Sequence, residues 1–413
     1  MIFSAAAQAT QIREDRSARF AAFWMIASIP LSLSSPGATV AMGMVALFAL
    51  YTLARGYVLD YDLRRPGAIA LVAWALVVII DLLNGGGAGN LTTIVDYLPL
   101  AVLAPLAFGF RLSGLRVTTV DRAMQAAILI ATAMSLFQAF WLGVDRPGGL
   151  NLNPVPYAFV VMLWGTFLLS RGLEDHQGRS ALAAIVIALT AIVPILLSGS
   201  KMAWICTILA YGVVAVSWAL PRRRLKTLIP AAVGAIAITL FTGFTDLGEQ
   251  RLTDFWAEIV EFLRTGTSSG GSFGNRFEMI RSGFSAFLER PIIGHGLTES
   301  MAVTLAHSNP DGPDISQHSH IHNDYVVHLV SYGLFGLLFL GIYFWLMVRI
   351  SLDCRMTSYR RAGLAITAAL ALYITAGIAF NMDPMSGAMA IVAGLLLAFR
   401  NEAGACGGSS EKV

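Results

Sequence analysis

The sequence predicts an all-α fold: a polytopic integral membrane protein of about twelve transmembrane helices with one large outside loop that contains short helices. Composition is the first reason. Of 413 residues, 56% are hydrophobic and 13% charged, with mean hydropathy +0.68, against roughly 25% charged in soluble domains. The second reason is that apolar runs long enough to span the roughly 30 Å hydrocarbon core recur from Phe20 almost to the C-terminus. The third is a one-sided placement of Lys and Arg, because short cationic loops stay on the cytoplasmic side.

Each span follows from this pattern. Helices at 20–34 and 37–54 are flanked by Arg13, Arg16 and Arg19 and by Arg55, Arg64 and Arg65, which puts both termini and all even-numbered connections inside. Helices at 67–83 and 95–110 lead to Arg111, Arg116 and Arg122, and those at 120–143 and 154–170 lead to Arg171 and Arg179. Helices at 180–198 and 201–219 lead to Arg222, Arg223, Arg224 and Lys226, followed by a helix at 227–244. After a long connection come 325–348, the cluster Arg349, Arg355, Arg360 and Arg361, and then 362–380 and 385–399. Short outside loops hold only Arg146 and Lys201. The resulting plan is a cytoplasmic segment 1–19, nine helices in 20–244, an outside loop 245–324, three helices in 325–400 and a cytoplasmic tail 401–413.

The first apolar run follows a charged segment and lacks a small-residue cleavage site, so it is expected to remain as an anchor. Cys206 falls within a helix, and Cys354 and Cys406 fall on the inside, where thiols stay reduced, so no disulfide or Cys-based metal site is expected. Topology accounts for the net charge of +3, which leaves a nucleic-acid role without support.

The connection 245–324 is far longer than ordinary loops, and long connections of this kind usually carry function. Within it, 250–264 has helical apolar spacing at Leu252, Phe255, Ile259 and Phe262, and 266–274 is Gly- and Ser-rich. A second amphipathic segment, 275–289, ends at Arg290-Pro291. Two interfacial helices and a substrate-gating lid both fit. Three polar stretches share the outside ends of helices: 148–154 after Arg146, Ser198-Gly199-Ser200-Lys201, and 317–324. Paired broken helices of an inverted-repeat transporter are not visible.

In the last of these stretches, His318, His320 and His322 alternate, which in extended chain points three imidazoles to one side. The spacing lacks the His-x-x-x-His pair and carboxylate of zinc hydrolases, so no metal site is assigned. A neutral imidazole can take a proton from a sugar hydroxyl, and a neighbouring amide such as Asn323 can orient a ring or substrate, which makes His322 the candidate base. A solvated His-rich turn that caps the next helix is the competing reading. Lys201 begins a helix, where its cation opposes the positive end of the macrodipole unless an anion binds. With Arg146 and the free amides of that helix start it would suit a diphosphate, although snorkelling to the interface also explains each residue singly. Arg276, Arg281 and Arg290 add cations at i, i+5 and i+14, and Arg276 is the one singled out. Asp81, Asp96 and Asp383 lie near outside ends, with no spacing diagnostic of a glycosidase pair.

The pattern resembles the O-antigen ligase and O-antigen polymerase superfamily of bacterial membrane glycosyltransferases. His322-Asn323-x-Tyr325, with Leu329, Gly333, Leu334 and Gly336 beyond it, resembles the His-Asn block after the family's large periplasmic loop. Asn275-Arg276-Phe277 and Arg290-Pro291-Ile292-Ile293-Gly294-His295-Gly296 resemble its Arg-containing helix and Pro-x-x-Gly-x-Gly turn. Ser198-Gly199-Ser200-Lys201-Met202-Ala203 resembles its Ser-Arg-Gly-Ala helix start, with Lys201 in place of Arg and Met202 in place of Gly. Arg146-Pro147-Gly148-Gly149 to Asn153-Pro154 resembles its Gly-Asn-Pro loop.

The resemblance implies a metal-independent enzyme without cofactor in the bacterial inner membrane, its active site facing the periplasm. Its donor would be a polyprenyl-diphosphate-linked glycan, its acceptor lipid A-core or another glycan, and its surroundings membrane lipid. His322 and Arg276 would be catalytic, Lys201, Arg146 and Arg276 would bind the diphosphate, and Asn323, His320 and Tyr325 would support them. A ligase-like reading is favoured over an O-antigen or exopolysaccharide polymerase. A transporter or lipid flippase is the rival from another class, and it leaves the long His-rich outside loop unexplained.

Overall fold

A computed structural model describes residues 16–54, 59–85, 90–114, 116–151, 153–174, 178–222, 272–380 and 383–400, with positions 253, 257, 260, 261 and 264. The described residues are helical with no strand. In chain order the helices are α1 (Arg16–Leu31), α2 (Ser35–Ala54), α3 (Tyr61–Leu83), α4 (Asn90–Asp96), α5 (Leu98–Ala101), α6 (Leu103–Leu112), α7 (Val117–Phe140), α8 (Pro154–Glu174) and α9 (Gly178–Thr190). They continue with α10 (Ile192–Leu197), α11 (Lys201–Arg222), α12 (Ser272–Glu289), α13 (Ser300–Ala306), α14 (Asp324–Tyr332), α15 (Leu334–Asp353), α16 (Thr357–Tyr373) and α17 (Asp383–Ala398). The helices expected at 227–244 and 250–264 lie outside the described residues or mostly so.

Among the described residues, six stretches are long and apolar enough to cross a membrane: Tyr61–Leu83, Val117–Phe140, Pro154–Glu174, Gly178–Leu197, Lys201–Pro221 and Leu334–Asp353. Shorter apolar helices are Ala22–Leu31, Met42–Ala54, Leu103–Leu112 and Pro384–Ala398. The chain is therefore an all-α polytopic membrane protein, and among the described residues the full count of about twelve spans is not reached.

Three expected spans are interrupted, each for a local reason. The 95–110 span is three pieces, α4 to α6, where Pro99 starts α5 and Pro105 falls within α6; a proline lacks the N–H that would continue the ladder. The 180–198 span turns at Ala191, because Pro194 has no N–H to donate to the Thr190 carbonyl. The 325–348 span breaks at Gly333, whose φ of 61° is left-handed.

α8 is the central element: 89% of its span is buried, and it packs on α7, α9, α11, α16 and α17. A helix apolar all round suits that place. Between helices in lipid, close packing and hydrogen bonds replace the hydrophobic effect as the main source of cohesion. Trp164 Nε1 accordingly donates to Ser32 Oγ at 3.0 Å, and Tyr157 Oη to the Ala131 carbonyl at 2.8 Å. Large apolar side chains such as Leu47, Val72, Ile79 and Leu338 stay exposed on the outer faces.

Among the described residues, ion pairs draw several cationic connections together at one end of the bundle. Arg111 binds Asp60 at 2.8 Å and Asp62 as well, and also donates to the Leu397 carbonyl. Arg171 pairs with Asp121 at 3.0 Å, Arg361 with Glu174, and Arg400 with Asp353 at 3.0 Å. Cys206 and Cys354 are buried free thiols.

Candidate functional site

The opposite end of the bundle is built around the break at Gly333. A helix that stops leaves carbonyls without intrahelical donors, and here the 290–296 turn supplies them. His295 N donates to Val330 O at 2.8 Å and Gly296 N to Ser331 O at 2.9 Å, while Leu334 N donates to Pro291 O at 2.8 Å. The approach is so close that a Cβ on Gly294 would sit 2.5 Å from the Ser331 carbonyl carbon, and one on Gly333 would sit 2.4 Å from Ile292 backbone. Gly336 lies against the His328 carbonyl in the same way, as close helix packing requires. Two residues of α3 and its C-cap hold the turn from the other side: Asp81 Oδ1 accepts from Leu297 N at 2.8 Å, and Asn84 Nδ2 donates to Ile293 O at 2.9 Å. Asp81 is thus committed to this junction and to Thr93, whose hydroxyl donates to Oδ2 at 2.8 Å.

α12 is the amphipathic helix expected at 275–289, begun three residues earlier. Its buried stripe includes Met279, Ser282, Gly283 and Ala286, and a Cβ on Gly283 would lie 2.5 Å from Val326 of α14. Glu278 gathers Arg281 at 2.9 Å, the Ser282 hydroxyl at 2.9 Å and Asn309 N at 2.7 Å. Arg281 is therefore engaged in holding α12 to the following loop, and Arg290 is exposed beyond the helix end.

The three alternating histidines do come together. The rings of His320 and His322 are 4.4 Å apart and those of His318 and His322 5.4 Å apart. Asn275 Nδ2 lies 3.2 Å from His318 Nε2, which ties α12 to the cluster one residue before Arg276. Burial, then the charges of His320, Arg276 and His318, push His322 down to about 4. Burial and then His318 lower His320 as well. A neutral His322 at physiological pH is a proton acceptor, and Arg276 is the nearby fixed cation that it senses.

The residues after His322 are fastened to the far end of α16. Asn323 Oδ1 caps α14 by accepting from Val326 N at 3.1 Å, and its Nδ2 donates to Thr375 O at 2.8 Å. The amide thus reaches the backbone, rather than a ring. Asp324 is buried; its N–H donates to Ile374 O at 3.0 Å, and its Oδ2 accepts from Ala379 N at 2.6 Å. Tyr325 Oη donates to Ala371 O at 3.1 Å. One turn on, His328 Nδ1 must donate to the Asp324 carbonyl at 2.6 Å, which leaves Nε2 to accept from Tyr97 Oη at 3.0 Å. Asp324, His328 and Tyr97 were not singled out from sequence. The one available signal was a carboxylate in the first turn of α14 followed by His at i+4.

Lys201 and Arg146 belong to a second pair of loops at this end. Arg146 Nε donates to Ser198 O at 3.1 Å, so the 146–153 loop touches the start of α11. Gly149 (φ 59°) is clamped by Gln138, at 2.9 and 3.0 Å, under the Tyr157 ring. Ser200 Oγ accepts from Ala203 N at 3.4 Å, leaving Lys201 in the first turn of α11. Cys206 Sγ donates to Ala369 O at 3.3 Å, so α11 packs along α16, the helix whose C-terminal end Asn323 grips. Arg276 acts electrostatically on Tyr373 at that same end. Asp96 lies apart, lining an apolar cavity with Tyr97, Tyr343 and Phe380, and the Asp383 side chain is outside the described residues.

Residues 183–341 match a family model described as O-Antigen ligase, a stretch running from α9 through the long connection to the start of α15. The chain is also 25% identical over 251 residues to an uncharacterized protein of Haemophilus influenzae, an alignment covering 57% of this chain and 60% of the relative. The chain thus spans less than two thirds of that relative's length.

Proposed function

We propose, on the premise that the chain is a member of the O-antigen ligase superfamily, that it transfers a glycan from polyprenyl diphosphate to an acceptor hydroxyl at the periplasmic face of the inner membrane. The observation that carries the proposal is the proximity of a half-buried, neutral His322 to the Arg276 cation, within a cluster braced by α12 and α16. In this reading His322 accepts the acceptor hydroxyl proton as the C–O bond to the anomeric carbon forms and the bond to the diphosphate oxygen breaks. Arg276, Lys201 and Arg146 hold the negative charge gathering on the leaving diphosphate, a task suited to preorganised cations. His320 and Tyr325 support the cluster, and Asn323 acts through the backbone it caps. No metal enters these steps.

The ligase-like assignment, with lipid A-core as acceptor, is separable from polymerisation by one assay. Purified protein in proteoliposomes receives polyprenyl-diphosphate glycan and either lipid A-core or a second lipid-linked repeat, with EDTA throughout. Product on lipid A-core is the expected result, elongated lipid-linked chains would make the protein a polymerase, and loss of activity to EDTA would refute metal independence. Absence of transfer to either acceptor, with movement of the lipid-linked donor across the bilayer, would favour a flippase.

A further inference from the structure

At the end of the bundle away from the histidines, α3 and α15 pack side by side and enclose a cavity of about 500 Å³. Its polar lining includes Arg65, Arg349 and Arg400 with Asp62 and Asp353. Asp62 is already engaged by Arg111, and Asp353 lies 3.0 Å from Arg400 and 3.6 Å from Arg349. Arg65 is exposed and makes no ion pair or hydrogen bond among the described residues, so the cavity carries a surplus of positive charge.

This cavity does not end at the polar rim. Ile69 and Trp345 line it and also line a second, apolar groove of about 840 Å³ that runs along the same two helices past Val72, Leu338 and Gly341. Arg65, Ile69 and Val72 stand at i, i+4 and i+7 of α3, and Arg349, Trp345 and Gly341 at i, i−4 and i−8 of α15. Both helices therefore present the same gradient on one face, cation to amphipathic ring or branched chain to apolar surface. Gly341 faces open space: a Cβ there would meet nothing within 4 Å. The distance from Arg349 to Gly341 along the helix is about 12 Å, matching a headgroup joined to the upper part of an acyl chain.

We propose that this paired cavity and groove is a binding site for one anionic glycerophospholipid, whose phosphate sits among Arg65, Arg349 and Arg400 and whose acyl chain lies along Ile69, Trp345 and Gly341. Charge complementarity at one end and the continuity of the two spaces through Ile69 and Trp345 select this occupant over a free anion or a neutral lipid. Basic recesses between transmembrane helices suit anionic headgroups, while a tryptophan at the junction marks the depth where ring and headgroup meet.

The test is native mass spectrometry of the full chain after incubation with phosphatidylglycerol and phosphatidylcholine of equal chain length. Retention of one phosphatidylglycerol in preference to phosphatidylcholine is expected, and it should weaken about fivefold for each charge removed in Arg65→Gln and Arg349→Gln. Both are exposed positions, so the fold is left intact. Gly341→Leu should reduce retention by filling the groove without a clash inside the protein. Equal retention of the two lipids, unchanged retention in Gly341→Leu, or displacement of phosphatidylglycerol by millimolar inorganic phosphate alone would each overturn the proposal.

Discussion

The side-chain amide of Asn323 donates to the Thr375 carbonyl at 2.8 Å, so the residue directly after His322 is fastened to the C-terminal end of α16. The same side chain caps α14 through Val326 N. A single residue thus sets both where α14 begins and where the histidine cluster sits over the bundle. Asn323→Ala should cost about 1–2 kcal/mol for the cap, with the Thr375 bond adding to it. Glycan transfer should fall more than donor affinity does, since the cation positions are left in place. Asn323→Asp keeps the cap acceptor and loses the donor, and should lie between. Thermal unfolding in detergent together with kcat and KM for transfer would check this; equal stability in all three proteins would be incompatible with the double role.

The histidine cluster makes a statement about pH. Burial and neighbouring positive charges lower the His322 pKa to about 4, below the ordinary imidazole value near 6.5. A lowered pKa keeps the base neutral in the folded protein through the window from 6.5 down to about 4. Transfer should therefore persist at pH 5.5, with the acid limb of the rate profile near the lower value. Arg276→Gln removes one of the repelling charges and should move that limb upward. Folding has the same sign: the unfolded imidazole takes up a proton below about 6.5 and the folded one does not, so stability from this group declines as pH falls through the window. A wild-type acid limb at 6.5 would place the base elsewhere.

Lys201 stands in the first turn of α11, where the resemblance has arginine. Lysine keeps the charge but presents it without a fork. Lys201→Arg should preserve or tighten donor binding, whereas Lys201→Met should raise the donor KM roughly tenfold or more, the usual scale for a hydrogen bond to a charged group. Steady-state kinetics with varied lipid-linked donor decides it; an unchanged KM in the Met variant would remove Lys201 from the diphosphate site.

Two left-handed glycines separate backbone strain from crowding. Gly143 has φ 64° with open space around it, and Gly294 has φ 67° with a Cβ position 2.5 Å from the Ser331 carbonyl carbon. Gly143→Ala should cost only the left-handed penalty of about 1–2 kcal/mol. Gly294→Ala adds displacement of the 290–296 turn from the α14–α15 break, and should lower the melting temperature further and impair transfer. Similar losses in both variants would show that the turn has room to shift.

The candidate site was legible in parts. The alternation of His318, His320 and His322 implied one shared side, and their rings do converge. Helix α12 was legible from its apolar stripe and its Arg290-Pro291 stop. Arg281 looked like one more free cation, and its commitment to Glu278 and the Asn309 loop came only from folding. Asp324, His328 and Tyr97 carried too little pattern to be noticed, because a hydrogen-bonded chain linking α14 to residue 97 leaves no periodic trace.

What the sequence alone determined is the solvent and the secondary structure that this solvent permits. Long apolar runs with few charges need lipid around them, and in lipid each backbone polar group needs a partner within its own helix. The ion pairs that Arg111, Arg171 and Arg361 make across separate connections came only from folding. Prolines account for the breaks in 95–110 and 180–198, whereas tertiary structure decided the third break and what fills it. Gly333 reads as a mild interruption of an apolar span, yet the chain parts there because a turn some forty residues earlier donates to Val330 and Ser331. Helical periodicity is a local property carried by neighbours three and four residues apart. The contacts that gather His322, Arg276 and the end of α16 are made between distant segments, and packing selects them.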